Sequence, residues 1–202
     1  MARTKNFDRE EKLIAAMELF WHKGYADTSI ADLVDHLGIN RFSLYNAYVD
    51  KETLYHECLD YYLTQISFPS LTELGKGDAG LEAIKAYLQR FALLQRDQQC
   101  GCFMQNAILE RAHSDDEVLN TGTMLYTELD TALGQALKNA KQDGIIGNNV
   151  NTEQMSRFLV LQMQGIRVLG KARQYNFIDD AMVVLIAMLD ALRITYLINV
   201  ER

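Results

Sequence analysis

TSIADLVDHLGINRFSLYNAYVDKETLY, residues 28 to 55, is the stretch on which the fold turns. Ser29 can cap free amides and Asp32 stands three residues on, so a capping box opens a short helix that runs to about His36. Gly38 permits a tight turn, and another short helix covers about 40–47 before Asp50 caps a longer one. Helix, glycine turn, helix is the plan of a helix-turn-helix. Such a motif lays its second helix in the major groove of DNA, where only the side chains near that helix's start reach base edges. Here those are Asn40, Arg41, Phe42 and Ser43. Arg41 suits guanine, whose two acceptors match its fork. Ser29, Tyr45, Asn46 and Lys51 flank them as phosphate partners, two of them at helix starts where amides and dipole already favour anions. Leu44 and, one turn along, Tyr48 read as core.

On the N-terminal side, Leu13, Ile14, Met17, Phe20 and Trp21 recur at three- and four-residue steps, marking one face of a helix over 8–23 that Gly24 ends. On the other side, helix four extends from Lys51 to about Ile66 and stops ahead of Pro69, the one proline. The stretch SFPSLTELGKGDAG, residues 67–80, is the one linker. Leu81, Ile84, Tyr87, Leu88 and Phe91 line the buried side of a helix over 80–97. A Cys-Gly-Cys break follows, then a shorter helix through about Ala112. Ser114 with Glu117 and Asn151 with Gln154 read as capping boxes, and Gly144 closes the long helix between them. The last two helices, about 152–173 and 178–198, carry Met155, Phe158, Leu159, Ile166 and Leu169 in one and Met182, Leu185, Leu189, Leu192 and Tyr196 in the other. Both hold more large apolar residues than a single inner stripe requires. They are either central core helices or, the stronger reading, helices that also meet a second copy in an isologous four-helix contact. The fold class is all-α: an N-terminal three-helix helix-turn-helix domain, residues 1–50, followed by a larger helical domain, residues 51–202.

The 202 residues are 49% hydrophobic and 23% charged, an ordinary globular composition able to bury a sizeable core. No apolar run approaches the roughly 20 residues of a membrane span, and MARTKNFDREEK lacks the apolar centre of a secretion signal. A cytoplasmic location without membrane partners is expected. Cys58, Cys100 and Cys102 are an odd, sparse set compatible with reduced thiols. A net charge of −7 excludes a protein that coats nucleic acid with its whole surface, yet leaves room for one small phosphate-binding face.

The run LIAAMELFWHKGYADTSIADLVDHLGINRFSLYNAYVDKETL resembles the DNA-binding domain of the tetracycline-repressor (TetR) family. The shared features are the AA..LF...GY..TS opening, the GIN turn, the LY pair followed by an aromatic three residues later, and the KE.L start of helix four. The resemblance covers about 50 residues and implies a homodimeric transcriptional regulator, usually a repressor. Such a regulator binds a palindromic double-stranded DNA operator and releases it when a small-molecule effector occupies the C-terminal ligand-binding and dimerisation domain. It places Ser29, Asn40, Tyr45, Asn46 and Lys51 on positions that often contact phosphates, and Arg41, Phe42 and Ser43 on positions that often face bases. Two positions depart from the pattern: Phe42 stands where a small residue is usual, and Ala47 where a phosphate-binding His is common.

Tyr62, Phe91, Cys102, Phe103, Tyr126 and Gln162 are the candidates to line an effector cavity, with tyrosine hydroxyls and Gln162 as polar anchors. GCFMQNAILE resembles a segment of one broad group of these regulators in which the cysteine lies near the effector pocket and sometimes senses electrophiles. The residues themselves favour a small packed Cys102, since sensing needs a depressed pKa and access. Cys-x-Cys with His113 is too close and too lonely for zinc. Glu110-Arg-Ala-His113 has no second copy to build a di-iron site and reads as a solvent-facing helix end. With no P-loop, paired catalytic motif or dinucleotide fingerprint, no enzyme, metal or cofactor is expected. An all-helical cofactor enzyme and a protein-interaction adaptor that keeps the helix-turn-helix shape are the competing classes.

Overall fold

The computed structural model describes residues 7–97 and 100–194, most of them helical. Among them nine α-helices follow in order: α1 (Arg9–Lys23), α2 (Ile30–Leu37), α3 (Arg41–Tyr48), α4 (Lys51–Tyr61), α5 (Leu81–Asp97), α6 (Phe103–Arg111), α7 (Asp116–Gln142), α8 (Thr152–Lys171) and α9 (Tyr175–Ala191). The only extended pairing among the described residues is an isolated antiparallel bridge between Ile146 and Arg193.

Short polar side chains set the helix starts. Asp8 accepts from the Glu10 and Glu11 amides, Asn40 from the Ser43 amide and Asp50 from the Thr53 amide. Ser29 and Asp32 satisfy each other's amides in a complete capping box. Each such cap is worth about 1 kcal/mol. Gly38, at φ 63°, ends α2 in the left-handed conformation that the turn into α3 needs.

Three boundaries differ from the sequence expectation. The α-helical part of helix four ends at Tyr61, and the chain widens into a π-turn (Tyr62–Ser67) before tightening into a 3-10 turn (Phe68–Leu71). Pro69 sits inside that last turn, where its missing N–H costs no helical bond. Asp115, not Ser114, caps α7, accepting from the Glu117 and Val118 amides, while the Ser114 hydroxyl donates to Arg111 O. Asn151 caps α8 through the Gln154 amide. The last helix starts at Tyr175, three residues before its expected start, and Tyr196 lies outside the described residues.

The chain divides into two compact units, one of Met1–Pro69 with Cys102–Leu125, the other of Ser70–Gly101 with Tyr126–Arg202. The first runs past residue 50 because α1 packs along α4 as well as α2. Its core joins Leu13, Met17 and Phe20 of α1 to Leu33 and Leu37 of α2, Leu44 and Tyr48 of α3, and Leu54, Tyr55 and Leu59 of α4. Tyr55 meets Phe20 and Phe103 edge to face at 5.0 and 5.6 Å between ring centres. Burying each such large side chain contributes about 1.5–3 kcal/mol. In the second unit α5, α8 and α9 pack mutually. Leu81, Ile84, Tyr87, Leu88 and Phe91 of α5 are all buried, as their spacing predicts. Among the described residues, no helix is long and apolar enough to cross a membrane.

Candidate nucleic-acid interface

On α3 the polar tips and the core residues separate by helical position. Leu44 and Tyr48 are buried, and the Tyr48 hydroxyl donates to Arg9 O at 2.6 Å, fastening α3 to α1. The opposite arc presents Arg41, Phe42 and Asn46 to solvent, with Tyr45 half-buried between them. Arg41 lies 5.6 Å from the Tyr45 ring centre, and its Nη2 donates to the Tyr45 hydroxyl at 3.4 Å, so the guanidinium rests on its own helix. Most cations of this unit are tied to carboxylates: Arg9 to Glu57, Lys12 to Glu11, Lys23 to Asp32, Arg111 to Asp115. Arg41 has no carboxylate partner among the described residues. Phe42 points outward with 76% of its surface exposed, leaving α3 undistorted by the departure from a small residue. Ser43 is half-buried near the helix start.

Ser29 and Lys51 are more committed than the sequence suggests. The Ser29 hydroxyl donates to Asp32 Oδ2 at 2.6 Å and accepts from the Asp32 amide. Hydrogen bonds from Lys23 and then Ser29 hold the Asp32 carboxyl far below the usual range, so an anionic side chain already occupies the start of α2. Lys51 is half-buried: its ammonium donates to Tyr25 O at 2.6 Å and stands 4.0 Å from the Tyr25 ring centre. Burial, followed by nearby Arg111, pushes its pKa down. Two of its three N–H groups remain for another acceptor.

The far side of the Tyr25 turn holds residues that the sequence reading missed. Glu110 and Arg111 are not a solvent-facing helix end. Glu110 accepts from the Tyr25 and Ala26 amides at 3.0 and 2.7 Å, and Arg111 lies 3.7 Å from the Tyr25 ring centre. Gly24 makes this possible, since its φ of 86° suits only glycine and a Cβ there would stand 3.3 Å from the Glu110 carboxylate. Arg111 further donates to Glu52 at 2.6 Å and to Asp115 at 2.8 Å, and His56 approaches Asp115 at 2.9 Å. Tyr25 is thus held between two cations, one from α4 and one from α6. Glu52, His56 and Asp115 bring ligand-type atoms within 4.8 Å of one another, but the Arg111 guanidinium already neutralises both carboxylates. The only sequence signal was the three-residue offset between Glu110 and His113, which points to metal chemistry and not to amide capping.

Two measurements follow from this geometry. Burial pushes the Asp115 carboxyl up, but bonds from His56, Arg111 and the Val118 amide outweigh it and hold it at about 2, below the ordinary 3.8. The folded state therefore binds fewer protons than the unfolded one. The resulting stabilisation is full above about pH 4 and is lost as pH falls toward about 2. Asp115→Asn should show a smaller loss of melting temperature over that acid range than the wild type, in a thermal series followed by circular dichroism. The second measurement concerns Val49, at φ 65° and ψ −64°, where the Asp50 amide donates to Tyr48 O at 2.7 Å across a strained γ-turn that links α3 to α4. Val49→Gly should stabilise by about 1 kcal/mol. An unchanged denaturation midpoint would show the turn to be unstrained.

The six effector-cavity candidates divide between the two units. Tyr62, Cys102 and Phe103 lie in the first, where the Tyr62 hydroxyl donates to Cys102 Sγ at 3.4 Å and Phe103 packs edge to face on Tyr62 at 5.8 Å. Cys102 is buried, while Arg96 and Arg111 are both engaged with carboxylates, which is not the electropositive, open setting of a reactive thiol. Phe91, Tyr126 and Gln162 belong to the second unit, with Phe91 buried and the other two half-buried. A cavity of about 680 Å³ lies elsewhere in that unit, between α7 and the start of α8, with a polar lining that includes Asp130, Lys138, Asn149 and Ser156.

A short helix presenting its polar tips beyond a glycine turn, braced from behind by two further helices, defines a helix-turn-helix protein of the class that reads double-stranded DNA. Comparison with known proteins names the family. Residues 13–58 match the model of bacterial regulatory proteins, tetR family. The chain is 30% identical over 169 residues to the HTH-type transcriptional repressor ComR of Escherichia coli (strain K12), covering 82% of this chain and 80% of ComR. A TetR transcriptional regulator from Chloroflexus aurantiacus superposes with a TM-score of 0.83 at 19% identity, covering 93% of this chain and 96% of that one. The TetR family regulator CifR, solved as a cysteine mutant with a 26-base-pair operator duplex, superposes with a TM-score of 0.77 at 23% identity over 96% of this chain and 100% of CifR. The chain belongs to the TetR family of bacterial regulatory proteins.

Proposed function

We propose that this chain is a cytoplasmic, ligand-controlled transcriptional repressor that acts by binding and not by catalysis. As a homodimer it inserts two α3 helices into successive major grooves of a palindromic operator, about 34 to 36 Å apart. The exposed arc of Arg41, Phe42, Tyr45 and Asn46 carries this reading. Arg41 and Phe42 face bases with Ser43 beside them. Asn40, Tyr45, Asn46, the α2 start at Ser29 and the remaining donors of Lys51 take phosphates. The division of roles falls after Asp50, with DNA contact before it and effector binding and pairing after it. Pairing runs through the last two helices, where Leu161 and Val168 of α8 and Phe177, Val183 and Val184 of α9 are exposed in the single chain. Tyr62, Phe91, Cys102, Phe103, Tyr126 and Gln162 remain the candidate effector contacts.

The clamp on Tyr25 supplies a route for control. Glu110 and Arg111 sit at the end of α6 and hold the turn between α1 and α2, while Lys51 at the start of α4 holds the same tyrosine. An effector that favours a shifted α6 moves the turn that supports α3, and lowers operator affinity by its differential affinity for the two states. The test is an electrophoretic mobility shift with DNA flanking the chain's own gene. A specific shift that a scrambled duplex of equal length fails to compete supports the reading, and equal competition contradicts it.

A further inference from the structure

One buried cation of the second unit lacks a carboxylate partner among the described residues. Arg167 lies on the buried stripe of α8 formed by Leu159, Met163, Ile166 and Gly170, and only 6% of its surface is exposed. Among the described residues no carboxylate lies within ion-pairing distance. Its partners among the described residues are Gln164 Oε1, which accepts from Nη1 at 3.0 Å, and the Phe91 ring, whose centre lies 5.2 Å from the guanidinium carbon. One turn along α8, Gly170 packs against Gln95 of α5, which is equally buried and whose amide is turned back onto Phe91 O at 3.0 Å. Covering an arginine this completely without an anion costs several kcal/mol, and an apolar side chain of the same volume would pack there without that cost. Arginine offers five N–H donors, of which one is used. No side-chain nitrogen among the described residues is both fully buried and unbonded, so the nitrogens of Arg167 without a partner retain a trace of exposure. The arrangement is a nearly covered cation set against an aromatic ring, which matches a planar anion with an apolar body.

We infer that Arg167 anchors the effector, and that the effector is a carboxylic acid whose apolar part lies along Phe91. This rests on the effector-controlled reading above and narrows it to a chemical class. Gln164 holds the fork of Arg167 in place, so the carboxylate meets two parallel N–H donors and not a mobile point charge.

The test uses full-length protein with benzoate and octanoate as probes against benzamide and octanamide. At least one acid should raise the melting temperature while its amide does not. In Arg167→Met the affinity for that acid should fall by about tenfold or more. Arg167→Lys, which keeps the charge but not the fork, should fall between. Without ligand, Arg167→Met should melt no lower than the wild type, because it removes an unpaired buried charge. A lower ligand-free melting temperature would mean that Arg167 is paired within the protein, and would overturn the inference. Equal shifts for acid and amide, or none for any acid, would overturn it too. The mobility shift separates the two layers. An acid that binds through Arg167 without releasing DNA keeps the anion site and removes effector control. An amide that releases DNA equally from wild type and Arg167→Met keeps effector control and removes the anion site.

Discussion

Replacing Arg111 by alanine lowers stability by about 3 kcal/mol, because it strips the charge partner from a buried carboxylate. For a chain of this size that is a fall in Tm of roughly 6–12 °C. Asp115 is nearly fully covered, and Arg111 meets it with two N–H donors at 3.0 and 2.8 Å while a third contact reaches Glu52. After truncation, Asp115 keeps only His56 and two helix amides. The same change removes one of the two cations that hold Tyr25, so the turn ahead of α2 is left to Lys51 and Glu110. Operator affinity should therefore fall along with stability. Arg111→Lys recovers part of the stability through charge alone and little of the stacking on Tyr25. Scanning calorimetry checks the first claim, and a wild-type melting temperature in Arg111→Ala would show the network to be energetically idle.

Arg41→Ala narrows the gap between specific and scrambled DNA by about 5- to 150-fold per half-site, the equivalent of 1–3 kcal/mol from each bidentate base contact. Arg41 is the exposed cation of α3, and it touches no core residue whose loss would confuse the result. Melting temperature should accordingly stay at the wild-type value. Lys51→Ala behaves differently on three counts. It weakens specific and scrambled duplexes alike, lowers the salt slope by about one per half-site, and also lowers the melting temperature because it releases Tyr25. Fluorescence anisotropy titrations at several salt concentrations separate the two patterns. If Arg41→Ala weakened both duplexes equally, α3 would not be reading bases through this residue.

What was legible in the sequence was whatever one helix or one turn encodes. Ser29 and Asp50 were identified as caps because a cap acts on amides two or three residues away, whereas Asn40, read as the first residue of α3, is its cap. The buried side of α5 was identified from spacing, because helical period alone brings Leu81, Ile84, Leu88 and Phe91 together. Helix four misled at its end, since its α-helical bonds give way after Tyr61 to a π-turn and then a 3-10 turn that carries the chain past Pro69. Glu110 and Arg111 were misplaced because their partners stand about 85 residues earlier and no local pattern announces them. Arg167 escaped notice for the opposite reason: an arginine in a helix sequence reads as solvated until its neighbours are seen to cover it.

The amino-acid sequence by itself determined that the chain is helical, that its first fifty residues carry a helix-turn-helix, and which side chains of α3 face outward, since periodicity, capping and glycine turns are properties of neighbouring residues. The tertiary structure alone decided that Lys51 turns back onto Tyr25, that α6 grips the turn ahead of α2, and that Arg167 is enclosed beside Phe91. Those outcomes depend on which distant charges and rings share one low-dielectric space, and that is set by packing between helices.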